Sequence, residues 1–209
     1  MPDGKPPAVI PRQKNSMKMK TSIILASASP RRAELLDLAG IKFRVVPADI
    51  CEDPLTGECA ADHVMRLSRE KAQAVAAQCE GSLFIGADTV VVLDGAIMGK
   101  PVDEQQAYHM LSSLSGRTHE VITGFTLVNK ESGYCHSQSV RTEVTFRSLN
   151  EEEIYQYIAS GCPMDKAGAY AIQGGAVHFV STICGSYSNV VGLPMAELYQ
   201  ALCSQCEYN

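Results

Sequence analysis

The chain has 209 residues, of which 45% are hydrophobic and 20% are charged, as in an ordinary globular protein long enough for one compact unit. Its formal net charge of -5 at pH 7 supplies no overall positive field, which argues against a nucleic-acid partner. The apolar runs are far too short to span a membrane and no signal-peptide pattern opens the chain, so we expect a cytoplasmic protein without a membrane partner.

Prolines and lysines without periodicity predict a flexible leader over residues 1–20, followed by a single domain over residues 21–209. Apolar patterning in that domain predicts strands, in chain order, at 23–25, 43–46, 83–93, 120–129, 134–147 and 177–183. Helices are predicted at 31–39, 60–78, 103–114, 150–159 and 194–203. This alternation predicts an α/β fold around a twisted mixed sheet with flanking helices.

The eight cysteines are scattered through a chain whose hydrophobic content does not require disulfides, so we expect reduced thiols. Cys203 and Cys206 form a CxxC pair near the C-terminus. A zinc site would need a second pair or a nearby histidine in the sequence. We therefore interpret the pair as two thiols on a terminal helix.

Two adjacent arginines follow Ser27-Ala28-Ser29-Pro30 in the first turn of a predicted helix. The helix N-terminus is partly positive, so each arginine is disfavoured there by about 0.3–1 kcal/mol unless an anion lies in front of it. Ser29 can cap this helix, and Pro30 suits its first position. Free amides and the guanidinium groups of Arg31 and Arg32 would suit a triphosphate. The alternative is a solvated arginine pair on an ordinary helix start.

Four further charged residues lie in apolar surroundings or after strands. Lys71 shares an apolar helix face, which predicts either a stem that reaches solvent or a lysine that enters a phosphate pocket. Asp88 interrupts an apolar strand, where a carboxylate is costly unless it is paired or bound to metal. With Glu52 and Lys100 it would suit a divalent ion on a polyphosphate, although each residue alone could be a loop charge.

The last unusual segment is Asp165 to Gly175, DKAGAYAIQGG, in which small residues would let the backbone approach a ligand closely. Gln173 offers both a donor and an acceptor, as the reading of a base edge requires. The spacing alone fits a glycine-rich turn equally well.

Taken together and in this order, the motifs SASPRR, RLSREKA, GADTVV, GKP, DKAGAYAIQG and GSYSNVVGLP resemble the Maf family of nucleotide pyrophosphatases. The similarity extends from about Ser22 to Leu202, and several unusual motifs in a fixed order make it specific. Cys51 departs from the family pattern, because a second acidic residue is common at that position, and residues 174–176 differ modestly.

The resemblance implies an elongated two-lobed α/β fold with a central cleft, a divalent cation (Mg, Mn or Co) as cofactor, and a homodimer. It also implies hydrolysis between the α- and β-phosphates, with Asp88 as the proton acceptor. Arg31, Thr89 and Gln173 match the specificity positions of the dTTP/UTP-preferring branch, whose substrates include modified uridine triphosphates and whose task is nucleotide-pool house-cleaning. The other matches to cleft positions are Ser29, Arg32, Glu52, Lys71, Lys100, Asp165 and Lys166.

In the resulting hypothesis, Arg31, Arg32 and the helix amides hold the β- and γ-phosphates, and Lys71 and Lys100 neutralise the leaving pyrophosphate. Glu52 and Asp88 position the metal, and Asp88 acts as base or as metal ligand. Two alternatives remain: a purine or modified-purine triphosphate pyrophosphatase, and a nucleotide-sensing regulator of cell division.

Overall fold

The computed structural model describes residues 22–205, so the predicted leader, residues 1–20, and Cys206 lie outside the described range. Within it, the strands are β1 (Ile23–Leu25), β2 (Phe43–Val45), β3 (Leu83–Leu93), β4 (Ala96–Met98), β5 (Thr118–Asn129), β6 (Cys135–Phe146) and β7 (Val180–Cys184). The helices are α1 (Pro30–Leu38), α2 (Ala60–Gln78), α3 (Glu104–Leu114), α4 (Glu151–Ala159), α5 (Tyr187–Val191) and α6 (Met195–Ser204).

These strands form one mixed sheet in the order β2-β1-β3-β5-β6-β7, with β4 paired to β3. The pairs β1–β2 and β1–β3 are parallel, and the others are antiparallel. The α/β prediction is therefore confirmed.

Strand β3 lies inside the sheet, between β1 and β5, and has one continuously paired edge and one interrupted edge. One of its edges pairs with β5 from Leu83 to Val92. The opposite edge pairs with β1 over residues 83–85 and with β4 over residues 91–93, and residues 86–90 lie between those two neighbours. Asp88 and Thr89 therefore lie where the sheet edge is interrupted.

Helix α2 packs closely on the sheet because two glycines face it. A Cβ on Gly86 would lie 2.0 Å from the Ser68 carbonyl oxygen, and one on Gly124 would lie 2.4 Å from that of Val64. Both distances are far below any real Cβ contact, so these positions require glycine. The close approach brings Lys71, on α2, to Asp88, on β3.

The opposite face of the sheet carries two hydrophobic clusters. The first cluster packs α1 and α6 against β1 and β3 and includes Leu36, Ile85 and Leu198. The second packs α3 and α4 against β5 and β6 and includes Leu111 and Phe146. Among residues 22–205, none of the helices combines the length and the apolar character needed to cross a bilayer.

Several predicted boundaries differ from the structure. The strand predicted at 177–183 begins at Val180, because Val177–Phe179 forms a 3-10 turn. Helix α5 was not predicted, since five residues are too few to show a helical period. Ser29 occupies the N-cap position of α1, but its side chain makes no capping hydrogen bond. The seven described cysteines are free thiols.

Candidate active site

A cleft of about 550 Å³ opens at the interrupted edge of β3. Its walls come from the loop after β1, the start of α1, the loop before α2, the segment after β4 and the segment before β7. All eleven residues selected from the sequence line this one cleft: Ser29, Arg31, Arg32, Glu52, Lys71, Asp88, Thr89, Lys100, Asp165, Lys166 and Gln173. The structure thus brings together residues that are up to 144 positions apart in the chain, from 29 to 173.

Lys71 joins two carboxylates at the charged end of the cleft. Its Nζ lies 2.7 Å from Oδ1 of Asp88 and 2.7 Å from Oε1 of Glu52. The lysine is 7% exposed and Asp88 is 8% exposed, so solvent screens their contact little. The lysine stem therefore does not extend into bulk solvent, and its ammonium group fixes both carboxylates.

The charge of Glu52 is maintained by its neighbours. Partial burial raises the pKa of this carboxyl, but the Lys71 hydrogen bond and the charges of Lys71, Lys100 and Arg32 outweigh it and lower the pKa overall. Lys100 is the most exposed of these cations, with Nζ 4.0 Å from Oε2 of Glu52. Its ammonium group thus remains available to a ligand in the cleft.

The N-terminus of α1 faces the same cleft. Ser29 donates its backbone N–H to Oγ of Ser27, and its own hydroxyl makes no capping hydrogen bond to the helix. Pro30 has no amide proton, and Arg31 is half-buried at the cleft wall. The amides of a first helical turn have no partners within the helix, so this end of α1 suits an anion.

Arg32 is held by the protein itself. Its Nε donates to the Gly192 carbonyl, and its Nη1 donates to Oγ of Ser27 and to the Ala87 carbonyl, at 2.8–2.9 Å. Nη2 donates to Oγ1 of Thr89. Burial lowers the pKa of Arg32, and the nearby Asp88 charge partly offsets that effect. Four hydrogen bonds therefore occupy most of the N–H groups of this guanidinium, and Arg32 is not part of a solvated arginine pair.

Thr89 belongs to a buried chain of hydroxyl groups that sequence reasoning missed. Its Oγ1 lies 3.0 Å from Oγ1 of Thr123, which donates to the Asn189 carbonyl oxygen at 2.9 Å. Thr123 and Asn189 are both fully buried. The side-chain amide of Asn189 donates to the Val121 carbonyl and fastens α5 to the sheet. A polar residue within GSYSNVVGLP was the available signal for this contact.

The segment that holds Gln173 is fixed at several points. Gly168 donates to the Gly99 carbonyl, and a Cβ at Gly168 would meet Val91, so the segment packs directly against the sheet. Tyr170 hydrogen-bonds Nε2 of the buried His119 at 2.7 Å. Gln173 itself is exposed at the cleft wall.

Asp165 and Lys166 form an ion pair at the start of this segment. The Lys166 hydrogen bond lowers the pKa of Asp165. Asp165 is therefore an anion that carries its own counter-ion.

A second cluster missed by sequence reasoning holds the loop that carries Glu52. Glu58 accepts hydrogen bonds from the Leu55 amide and from Arg66, and it contacts Nδ1 of His63 at 3.0 Å. The Arg66 hydrogen bond lowers the pKa of Glu58 to about 2. His63 lines the cleft two helical turns before Lys71. The cluster thus ties the Glu52 loop to the helix that carries Lys71.

The donor set fits a divalent cation that also binds phosphate. Lys71 engages one oxygen of each carboxylate, which leaves Oδ2 of Asp88 and Oε2 of Glu52 for other ligands. Residues 22–205 contain no group of three or more His, Cys, Asp or Glu side chains placed to hold an ion without further ligands. Mg²⁺ characteristically takes one or two carboxylates and completes its shell with water and substrate phosphates.

Known proteins resemble this chain along almost all of the described range. A family model described as Maf-like protein matches residues 22–205. The dTTP/UTP pyrophosphatase of Citrifermentans bemidjiense is 59% identical over 182 residues, which cover 87% of this chain and 94% of that protein. The dTTP/UTP pyrophosphatase of Geobacter sulfurreducens is 56% identical over 183 residues, covering 88% and 96%. That of Syntrophus aciditrophicus is 49% identical over 180 residues, covering 86% and 88%. With its cleft residues in the order of the six motifs and these matches along its length, the chain belongs to the Maf-like protein family.

Proposed function

We propose that this protein hydrolyses pyrimidine nucleoside triphosphates, namely dTTP, UTP and modified uridine triphosphates, to the monophosphate and pyrophosphate. The convergence of all eleven residues on one cleft carries the proposal. The names of the similar proteins, dTTP/UTP pyrophosphatases, support the choice of substrate. Removal of such nucleotides would be a house-cleaning activity.

The triphosphate lies at the charged part of the cleft. Arg31, the first amides of α1 and Lys100 surround space that suits the β- and γ-phosphates. Arg32 contributes mainly by holding the walls together, because most of its N–H groups are already bound. Lys71 orients the carboxylates of Glu52 and Asp88 and offsets part of their negative charge beside the bound phosphates.

Asp88 takes the proton of the attacking water. Lys71 fixes Oδ1, so Oδ2 remains to accept a hydrogen bond from a water that approaches the α-phosphate. The pyrophosphate then leaves toward the cationic wall. Since the carboxylate is almost buried and rigidly held, it needs little reorganisation as the proton moves.

Adjacent strand residues point to opposite faces of a sheet, so the side chains of Asp88 and Thr89 line two different sides of the cleft. Asp88 faces α2 with Lys71, whereas Thr89 faces the side of Arg32 and α5. We therefore propose that hydrolysis occurs on the Asp88 side and that Thr89 and Gln173 read the base.

A divalent cation, such as Mg²⁺, Mn²⁺ or Co²⁺, would be held by Glu52 and Asp88 and completed by phosphate oxygens. When bound, it would neutralise phosphate charge and favour attack at phosphorus. The proposal also includes a homodimer and a cytoplasmic location, as the family resemblance and the sequence suggest. Sedimentation equilibrium tests the dimer, since it would give twice the mass of one chain.

The test is pyrophosphate release from a panel of pyrimidine and purine triphosphates, with Mg²⁺, with Mn²⁺ and with chelator. We expect metal-dependent release from dTTP and UTP. Replacing Asp88→Asn should lower kcat by ~10²–10⁴-fold, because the base is removed while the shape is retained. Asp94→Asn is the matched control, since Asp94 lies on the exposed β3–β4 turn and pairs with Arg117; it should keep wild-type turnover.

The possible failures are distinct. Release from guanine or inosine nucleotides alone would support the purine alternative. No release from any nucleotide, despite measurable binding, would support the nucleotide-sensing alternative. Normal turnover by a folded Asp88→Asn variant would contradict the role given to Asp88.

A further inference from the structure

The hydrogen-bond chain that begins at Arg32 and ends at Asn189 runs in one direction. A guanidinium group only donates, so Nη2 of Arg32 is the donor to Oγ1 of Thr89 at 3.1 Å. At the other end, a backbone carbonyl only accepts, so Thr123 donates its hydroxyl proton to the Asn189 oxygen at 2.9 Å. The two ends of the chain are therefore fixed by chemistry.

The middle contact follows from the two ends. Thr123 has one hydroxyl proton, and Asn189 accepts it, so Thr123 can only accept from Thr89 across their 3.0 Å contact. Thr89 must then donate its own single proton to Thr123. Its oxygen has one lone pair bound by Arg32, and one lone pair remains.

Thr89 is partly exposed and lines the cleft, whereas Thr123 is completely buried beneath it. The Thr89 hydroxyl oxygen therefore faces the cleft, while its proton is donated to Thr123 inside the protein. Toward a ligand, Thr89 acts as an acceptor and not as a donor.

We infer that Thr123, through this directed chain, makes the protein select bases that carry a ring N–H and reject bases that carry a bare ring nitrogen. The inference rests on the proposed function and deepens its base-reading step. Uracil and thymine have a hydrogen on N3, which can donate to the free lone pair of Thr89. Cytosine has a lone pair on N3, which would face the lone pair of Thr89 without a hydrogen between them.

In this account Thr123 is a positioning residue, because it does not contact the ligand and acts through Thr89. The selection concerns the protonation pattern of the base and not its size, since guanine and hypoxanthine also carry a ring N–H. Gln173 and the cleft walls would then distinguish a purine from a pyrimidine.

The experiment compares the binding of UTP and CTP by calorimetry in the presence of chelator, so that the result does not depend on turnover. Thr123→Val keeps the volume and β-branched shape but cannot accept the Thr89 proton. The Thr89 hydroxyl can then rotate and donate to cytosine N3. The preference for UTP over CTP should therefore fall by about tenfold, which corresponds to the net free energy of one hydrogen bond. Thr123→Ser restores a hydroxyl and should retain the preference.

Thr118→Val is the matched control, because Thr118 lies on the same strand and shares a hydroxyl contact with Thr145 at an exposed site. Thermal unfolding identifies variants that fold, and Thr123→Ala replaces Thr123→Val if the latter does not. A folded Thr123 variant without a hydroxyl that keeps the wild-type ratio of UTP to CTP affinity would overturn the inference, as would a wild type that binds both nucleotides equally. Pyrophosphate release, measured separately, tests the proposed function: binding selectivity without release would refute hydrolysis alone.

Discussion

The buried histidine of β5, His119, should make the stability of the protein depend on pH below neutrality. It is 2% exposed, its Nε2 bonds Tyr170, and its Nδ1 has no partner among the described residues. Burial lowers the pKa of His119 from 6.5 to about 4. The folded protein therefore keeps this imidazole neutral at pH values where the unfolded chain binds a proton.

The sign and size of the effect follow from proton linkage. Between pH 6.5 and pH 4 the unfolded state binds more protons at this site than the folded state, so stability falls as the pH falls. At pH 5 the two pKa values give a loss of about 2 kcal/mol from His119 alone, and at pH 7 the loss is close to zero.

Urea unfolding of the wild type and of His119→Gln at pH 7 and pH 5 tests this prediction. The variant should be less stable than the wild type at pH 7, because the Tyr170 contact and the packing change. The difference between the two proteins should shrink by about 2 kcal/mol at pH 5, since glutamine does not titrate. His109→Gln, at an exposed site on α3, should retain the pH dependence of the wild type. A constant difference between wild type and His119→Gln at both pH values would refute the reasoning.

Two further predictions concern how α2 meets the sheet. Lys71→Met leaves Asp88 buried without its cation, so the free energy of unfolding should fall by about 3 kcal/mol and turnover should be lost. Denaturant unfolding measures the stability, and pyrophosphate release measures the turnover. An unchanged stability would show that the ion pair of Lys71 and Asp88 contributes nothing to folding. Gly86→Ala should displace α2, because the new Cβ would lie 2.0 Å from the Ser68 carbonyl oxygen, and should lower the free energy of unfolding by about 3 kcal/mol. Gly99→Ala is its control in thermal unfolding, since a Cβ there meets nothing within 4 Å; equal melting temperatures would contradict the close approach.

The charged wall of the cleft could be predicted from the sequence because its residues violate local patterns. Lys71 interrupts an apolar helix face and Asp88 interrupts an apolar strand, and such residues need partners. The structure gives them each other, at 2.7 Å. Lys100 and Gln173 were proposed from residue type and position alone, and the family resemblance supplied the roles of further positions such as Thr89.

What the sequence could not predict are contacts between distant segments. Arg32 was predicted to bind phosphate, but its acceptors include Gly192, which is 160 positions away, and Ala87, which is 55 positions away. Local patterning carries no information on which carbonyl groups will surround a guanidinium group. Thr123 was equally hidden, because a threonine within a strand is normal and its role appears only when α5 places the Asn189 carbonyl beside it.

The interrupted edge of β3 has a mechanical consequence. β5 pairs with β3 continuously on both sides of Asp88. Rotating one half of the molecule against the other would therefore break the hydrogen bonds between β3 and β5 beneath the cleft. Asp88 and Thr89, the residues proposed for hydrolysis and for base reading, therefore lie on one continuously paired strand and keep a constant separation. Adjustment to nucleotides of different size must then come from exposed side chains in the cleft, such as those of Lys100 and Gln173, which can change rotamer without disturbing the paired strands.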